Sequence, residues 1–207
     1  MSAFDDLFDK SPLPIVFKQA KTISKEECRA VYDYMNECRP KTILEFGTQY
    51  GCSTCMFICL AKWLKTDIKL HSWDILDQVK GICINKNHFM LHIEDITGKE
   101  EEVFQRYKPD MLFLDAHPYI LTRNLVKICL RDKIDFMCHD VSLAIINALK
   151  ARSNNFKDTT IYGAWEPYVL SELIDKKILT DDYYENDQVV VKCIRDKYGL
   201  AIVRNKK

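Results

Sequence analysis

The 207 residues carry thirty Lys and Arg against thirty Asp and Glu, a formal net charge of zero, and 47% of them are hydrophobic. That is enough apolar material for the core of one ordinary domain, and it leaves no basic field to hold a nucleic-acid backbone or an anionic membrane. The acidic opening Met1-Ser-Ala-Phe-Asp-Asp-Leu-Phe-Asp-Lys10 lacks the basic and then apolar pattern of a signal peptide, and no run approaches the roughly 18 apolar residues of a membrane span.

Residues 1–40 read as a helical segment ahead of the core. Its clearest part runs from about Ser24 to Glu37, where Ser24-Lys-Glu-Glu27 has the form of a capping box before Ala30, Val31, Tyr34 and Met35, and Arg39-Pro40 ends it. From Thr42 the pattern changes to short apolar runs separated by helical ones. In chain order these are a strand at Thr42 to Phe46, a helix over about 52–65, a strand at Ile68 to Trp73 and a turn of helix near 77–83. A strand at Phe89 to Ile93, a helix over 99–107, a strand at Met111 to Leu114, a helix over 119–131, a strand at Ile134 to Cys138 and a helix over 142–152 follow. The strands lack polar alternation, which suits a parallel sheet covered on both faces, and the β-then-α order with right-handed crossovers predicts an α/β, Rossmann-like, doubly wound sheet. Thr159 to Tyr162 offers a further strand, and Pro167 fits the first turn of a helix running to about Lys176. At the carboxyl end, Val189 to Ile194, a turn through Gly199, and Leu200 to Val203 predict an antiparallel hairpin appended to the mostly parallel sheet. Residues 41–207 are expected to form one domain.

Nine cysteines are scattered through apolar segments, and with no secretory signal they read as reduced thiols of a cytoplasmic protein. Cys52, Cys55 and Cys59 have spacings open to a metal cluster, but the same offsets describe one face of a helix.

In an open α/β sheet the ligand lies beyond the carboxyl ends of the strands, and here all five ends carry acidic groups. They are Glu45-Phe-Gly47-Thr48-Gln-Tyr-Gly51-Cys-Ser53-Thr54, Trp73-Asp74, Glu94-Asp95, Asp115-Ala-His117-Pro-Tyr119 and His139-Asp140. Gly47 and Gly51 permit a tight strand-to-helix turn and a close ligand approach, while the next helix offers N–H groups and the Ser53 hydroxyl to a carboxylate. The spacing is Gly-x-x-x-Gly, not the denser Gly-x-Gly-x-x-Gly that a pyrophosphate needs, which disfavours a nicotinamide-dependent oxidoreductase. Asp74 could accept two hydrogen bonds from a ribose diol and Asp95 one from an exocyclic amine. The plainer alternative is that the glycines make a turn and the acids cap helices.

Ile43-Leu-Glu45-Phe-Gly47-Thr-Gln-Tyr-Gly51-Cys-Ser53-Thr54 resembles the first motif of the class I S-adenosylmethionine (SAM)-dependent methyltransferases, in the form found in small metal-dependent O-methyltransferases of the catechol type. Phe113-Leu-Asp115-Ala-His117-Pro-Tyr119 and Met137-Cys-His139-Asp140-Val141 are similar to the related cephalosporin hydroxylase and macrolide-sugar methyltransferase group. The resemblance implies O-methyl transfer to a small-molecule or sugar hydroxyl. Glu45, Gly47, Thr48, Gly51 and Ser53 would hold the methionine end of SAM, Asp74 the ribose and Asp95 the adenine, with Asp115 beside the cofactor.

The resemblance also implies a magnesium or manganese ion on Asp115, His139 and Asp140. The His in place of a carboxylate either points away or shifts the preference from magnesium toward manganese or another transition ion, or else only Asp115 and Asp140 ligate with His117 as the third group. A metal-free arrangement in which these acids only orient substrate stays open, as does a non-catalytic SAM-binding or assembly domain. Where catechol-type enzymes carry a lysine base this chain has Pro118, so the proton acceptors available are His117 and His139, with Asp115 beside them. His71, His88 and His92 fall on or next to strands and read as packed or surface residues. The aromatic stretch Tyr162 to Tyr168 and Tyr119 suggest an acceptor wall built on Tyr119, Trp165 and Tyr168, unless these rings pack a helix onto the sheet. A homodimer is compatible with the sequence.

Overall fold

A computed structural model describes residues 3–20, 22–79, 89–116, 118–152 and 164–206. The chain forms two compact units, Met1–Asp95 and Ile96–Lys207.

The first unit opens with α1 (Ala3–Asp9) and α2 (Leu13–Ala20), short helices separated by Ser11-Pro12. Phe4, Phe8, Leu13 and Phe17 are buried, and Phe4 meets Trp63 edge-on at 6.2 Å. Both halves of the capping box start α3 (Lys25–Cys38): the Glu27 N–H donates to Ser24 Oγ at 3.1 Å, and the Ser24 N–H donates to Glu27 Oε2 at 2.6 Å. Arg39 closes the helix in the left-handed conformation at φ 50°. Strands β1 (Thr42–Phe46), β2 (Lys69–Asp74) and β3 (Phe89–Ile93) are parallel, with β2 between the other two. Helix α4 (Cys52–Leu64) crosses from β1 to β2. Its buried residues include Cys52, Cys55, Met56, Phe57 and Leu60, so two of the three closely spaced thiols serve as small core hydrophobes while Cys59 is half-buried. Each fully buried Phe or Leu side chain contributes about 1.5–3 kcal/mol.

The second unit begins with α5 (Glu100–Tyr107), β4 (Met111–Leu114), α6 (Tyr119–Asp132), β5 (Asp135–His139) and α7 (Leu143–Arg152). Strands β4 and β5 are parallel, and every residue of β4 is buried. After α8 (Glu166–Leu173) and a 3-10 turn at Lys176–Leu179 come β6 (Tyr183–Glu185), β7 (Val189–Ile194) and β8 (Leu200–Asn205). The hairpin expected from sequence is present, and it is β8, its second strand, that lies antiparallel against β5, followed outward by β7 and β6. Three left-handed C-caps here and in the first unit fall on lysines, Lys65, Lys108 and Lys133.

The helix read as ending near Lys176 stops at Leu173 and gives way to the 3-10 turn, whose first N–H groups are drawn off by Asp175: its side chain accepts from the Lys177 N–H at 2.8 Å. The strand expected at Thr159 to Tyr162 and most of the turn near 77–83 lie outside the described residues. Parallel strands with intervening helices and a carboxyl-terminal antiparallel hairpin make this the expected Rossmann-like α/β class.

Candidate functional site

In the first unit the chain leaves β1 through Gly47 at φ 92° and enters α4 through Gly51 at φ 79°, both in the left-handed region that glycine adopts without strain. The Gly47 and Thr48 N–H groups and the Thr48 hydroxyl all donate to the Trp73 carbonyl, at 2.9, 3.3 and 3.2 Å, which ties the loop to the end of β2. Asp74 continues the tie: its Oδ2 accepts from the Gln49 N–H at 2.7 Å and its Oδ1 from the Leu76 N–H at 3.0 Å. Gly51 makes no side-chain cap hydrogen bond at the start of α4, the end at which a helix presents N–H groups to an anion. Exposed Tyr50, Ile75 and Leu76 flank this carboxylate with apolar surface.

Glu45 is wholly buried, and its carboxylate accepts from the hydroxyls of Ser53 and Thr54, each at 2.5 Å, and of Ser72. Three O–H donors from α4 and β2 converge on one acid of β1. Glu45 and Ser53 therefore brace the loop from behind, and Glu45 reaches a ligand only through the groups it fixes. Asp95, beyond β3, is exposed. The histidines of β2 and β3 are packed as expected: His71 Nδ1 is 3.4 Å from His92 Nε2, and the His92 ring stacks on Trp73 at 4.3 Å. His88 lies outside the described residues.

In the second unit Asp115 follows β4, and His139 with Asp140 ends β5. One ligand atom from each of the three lies within 4.8 Å of the others, the one such grouping of His, Cys, Asp or Glu among the described residues. His139 is buried at 3% exposure. Its Nδ1 is 3.4 Å from Asp115 Oδ1 and 3.2 Å from Asp140 Oδ1, within ion-pair range, but the ring is aligned with neither oxygen for a hydrogen bond, and Nε2 also has no partner. Burial alone would lower the imidazole pKa, but the two carboxylates outweigh it and raise it well above the usual histidine value. Asp140 sits at φ 61°, a left-handed conformation that Asp tolerates better than most residues.

The β7–β8 turn clasps the segment after Asp140. The Val141 N–H donates to the Gly199 carbonyl at 3.3 Å and the Ser142 N–H to the Tyr198 carbonyl at 2.6 Å. Arg195 Nη1 donates to the Val141 carbonyl at 2.5 Å, while Nη2 reaches the carbonyls of Ile178 and Asp181 at 2.6 and 2.9 Å. Tyr198 places its ring 6.2 Å from the His139 ring.

Trp165 is buried at 2% exposure and meets Tyr119 edge-on at 5.8 Å and Tyr168 at 6.3 Å. Tyr119 donates to Glu172, which also takes two hydrogen bonds from Arg123, at 2.9 and 2.7 Å, so α6 and α8 are locked together. His117, Tyr162 and Gly163 lie outside the described residues. The sequence reading does not single out Glu166. It is fully buried at the start of α8, neither carboxyl oxygen has a hydrogen-bond partner among the described residues, and burial followed by the nearby Asp140 charge holds its pKa well above the usual carboxylate range. A glutamate just before a proline at a helix start is ordinarily an exposed partner of the helix dipole, so nothing local marks it.

No protein-family model matches the sequence, and no curated protein matches it. Among solved structures, the chain is similar to an O-methyltransferase from Bacillus cereus in complex with S-adenosylhomocysteine, at 13% identity and a TM-score of 0.62 over 98% of this chain and 96% of that one. It is similar to the O-methyltransferase TomG from Streptomyces achromogenes, involved in tomaymycin synthesis and bound to SAM, at 12% identity and a TM-score of 0.58 over 100% and 91% of the two chains. A magnesium- and SAM-bound CmcI matches at 18% identity and a TM-score of 0.52 over 86% of this chain and 70% of its own. At these identities the likeness establishes the fold: the chain folds as these SAM- and S-adenosylhomocysteine-bound proteins do.

Proposed function

We propose that the chain transfers a methyl group from SAM to a hydroxyl oxygen of a small molecule, with a divalent ion on Asp115, His139 and Asp140. The observation that carries this reading is the loop from Gly47 to Gly51, held to the carboxylate of Asp74 and opening onto an uncapped helix, on a fold shared with SAM-bound O-methyltransferases. The fit is chemical: backbone N–H groups for the methionine carboxylate, an acid at the end of β2 for the ribose diol, and apolar Tyr50, Ile75 and Leu76 for the adenine.

In this proposal Glu45 sets the position of α4 through Ser53 and Thr54, and Asp95 lies beyond β3 toward the adenine amine. When bound, SAM supplies the methyl group on its sulfonium and the ion lowers the cost of exposing an alkoxide or phenolate. Asp115, His139 and Asp140 offer one nitrogen and two carboxylates, a set that favours manganese or another transition ion over magnesium. His139 is proposed as a ligand and not as the base, because a neutral imidazole has one basic lone pair and, given to the ion, it cannot also take the acceptor's proton. His117 is the remaining candidate acceptor of that proton. Tyr119, Trp165 and Tyr168 are assigned to the acceptor side, with Trp165 fixing the other two.

Calorimetry with SAM and with NAD tests the reading. SAM should bind and NAD should not, and Asp74→Ala should weaken SAM by about 1–3 kcal/mol, the cost of losing charge-assisted hydrogen bonds to a diol. No binding of SAM by the parent protein would overturn the proposal. Binding without turnover to S-adenosylhomocysteine across phenol and sugar acceptors would leave a non-catalytic SAM-binding domain.

A further inference from the structure

Two buried groups in the second unit keep polar atoms without a hydrogen-bond partner among the described residues: both ring nitrogens of His139, whose Nδ1 lies only in ion-pair range of Asp115 and Asp140, and both carboxyl oxygens of Glu166. Buried polar atoms are nearly always satisfied, so two such groups in one neighbourhood need an explanation. They are neighbours in the fold, because α8, which Glu166 opens, packs on β5, which ends at His139, and the charges that act on Glu166 are those of Asp140, Asp115 and His139. Among the described residues no lysine or arginine is one of those influences, and Arg195, which reaches the Val141 carbonyl next to Asp140, is engaged with three carbonyls. A species that satisfies carboxylates and an imidazole together while offsetting their charge is a divalent cation.

We propose that Glu166 is a fourth protein ligand of the ion held by Asp115, His139 and Asp140. The inference rests on the metal-assisted reading above. The ligand atoms of the other three already lie within 4.8 Å of one another, and Glu166 stands outside that group, so its side chain must turn toward them when the ion enters. Its place at the head of α8 allows this: the helix is fixed to α6 through Glu172, while neither Glu166 carboxyl oxygen has a hydrogen-bond partner among the described residues. Three carboxylates and one imidazole form a donor set for manganese, iron, cobalt or zinc, and the extra acid compensates for the histidine that replaces one.

The test is a cobalt(II) titration of the chelator-stripped full chain, followed by visible absorption, with SAM binding measured in parallel. Glu166→Gln should weaken cobalt at least about ten-fold and alter the band positions and intensities, with SAM affinity unchanged. Glu166→Asp, which keeps the charge and shortens the reach, should fall between. Unchanged affinity overturns the inference, and so does weaker binding with the parent spectrum, since charge alone would then explain it. If Glu166→Gln does not fold, a cobalt-soaked crystal of the parent chain decides by showing the Glu166 carboxylate in or out of the coordination sphere. A parent protein that binds SAM but no cobalt overturns the ion site and this inference while sparing the cofactor assignment, whereas failure to bind either removes both.

Discussion

The residue that does most to shape the first unit is Glu45, a fully buried acid that accepts from three hydroxyls, on Ser53, Thr54 and Ser72. A carboxylate has acceptor sites for all three, whereas an amide has one oxygen and presents N–H groups to hydroxyls that must donate. Glu45→Gln should therefore cost about 1–3 kcal/mol, and Glu45→Ala about 3–5 kcal/mol by stranding three buried hydroxyls, both read as shifts in the urea midpoint. A shift smaller than experimental error would mean that the hydroxyls find other partners. From sequence, Glu45 is legible as an acid beside a glycine loop, but its wholly internal position is not, because burial depends on what α4 and β2 bring to it. Glu166 is the opposite case. Its neighbours in sequence say helix start, and only the fold sets it near Asp140, 26 positions away in the numbering.

Among elements, the β7–β8 hairpin has the largest consequence for the candidate ion site, since its turn holds Val141 and Ser142 by two backbone hydrogen bonds. Gly199 sits at φ 86°, and a Cβ there would lie 2.5 Å from the Ser142 nitrogen and 2.9 Å from the Val141 carbonyl carbon, both backbone atoms that cannot swing aside. Gly199→Ala should lower stability by about 1–3 kcal/mol and weaken cobalt binding as Asp140 is displaced; an unchanged melting temperature would show that the clasp is slack. The hairpin was readable from two β-branched runs around Tyr198-Gly199, and the parallel strands from short apolar runs without alternation. Less readable were the separate bounds of α1 and α2 inside the helical segment 1–40, because at seven and eight residues on either side of Ser11-Pro12 each has too brief a periodicity. The three-residue β6 is hidden for the same reason, and its exposed Tyr183 and Glu185 carry no buried face to announce it.

On the scale of the whole molecule, the thiols set an alkaline limit. Burial raises the thiols of Cys28, Cys129 and Cys138, and it pushes Cys193 up to about 11. A thiol ionises near ~8.5 in the unfolded chain, so its contribution to stability is complete below that pH and is lost as pH rises from there through the folded value. Each such thiol then costs about 1.4 kcal/mol per pH unit in that window. The urea midpoint should fall steeply between pH 8 and 10, and a flat profile would mean that the buried thiols are reached by water in the native state. Cys59 moves the other way, its thiol lowered chiefly by a hydrogen bond from Cys55, and should be alkylated ahead of these four. The placing of β8 against β5 has a further consequence, which concerns time. During synthesis β5 emerges with His139 and Asp140 at its end, but the strand that flanks it antiparallel is made only after α7, α8, β6 and β7. A nascent chain therefore carries Asp115, His139 and Asp140 before the clasp on Val141 and Ser142 exists, and Glu166 arrives in between. The backbone hydrogen bonds that hold the segment after Asp140 therefore form later than the residues they position, once β7 and β8 have been made.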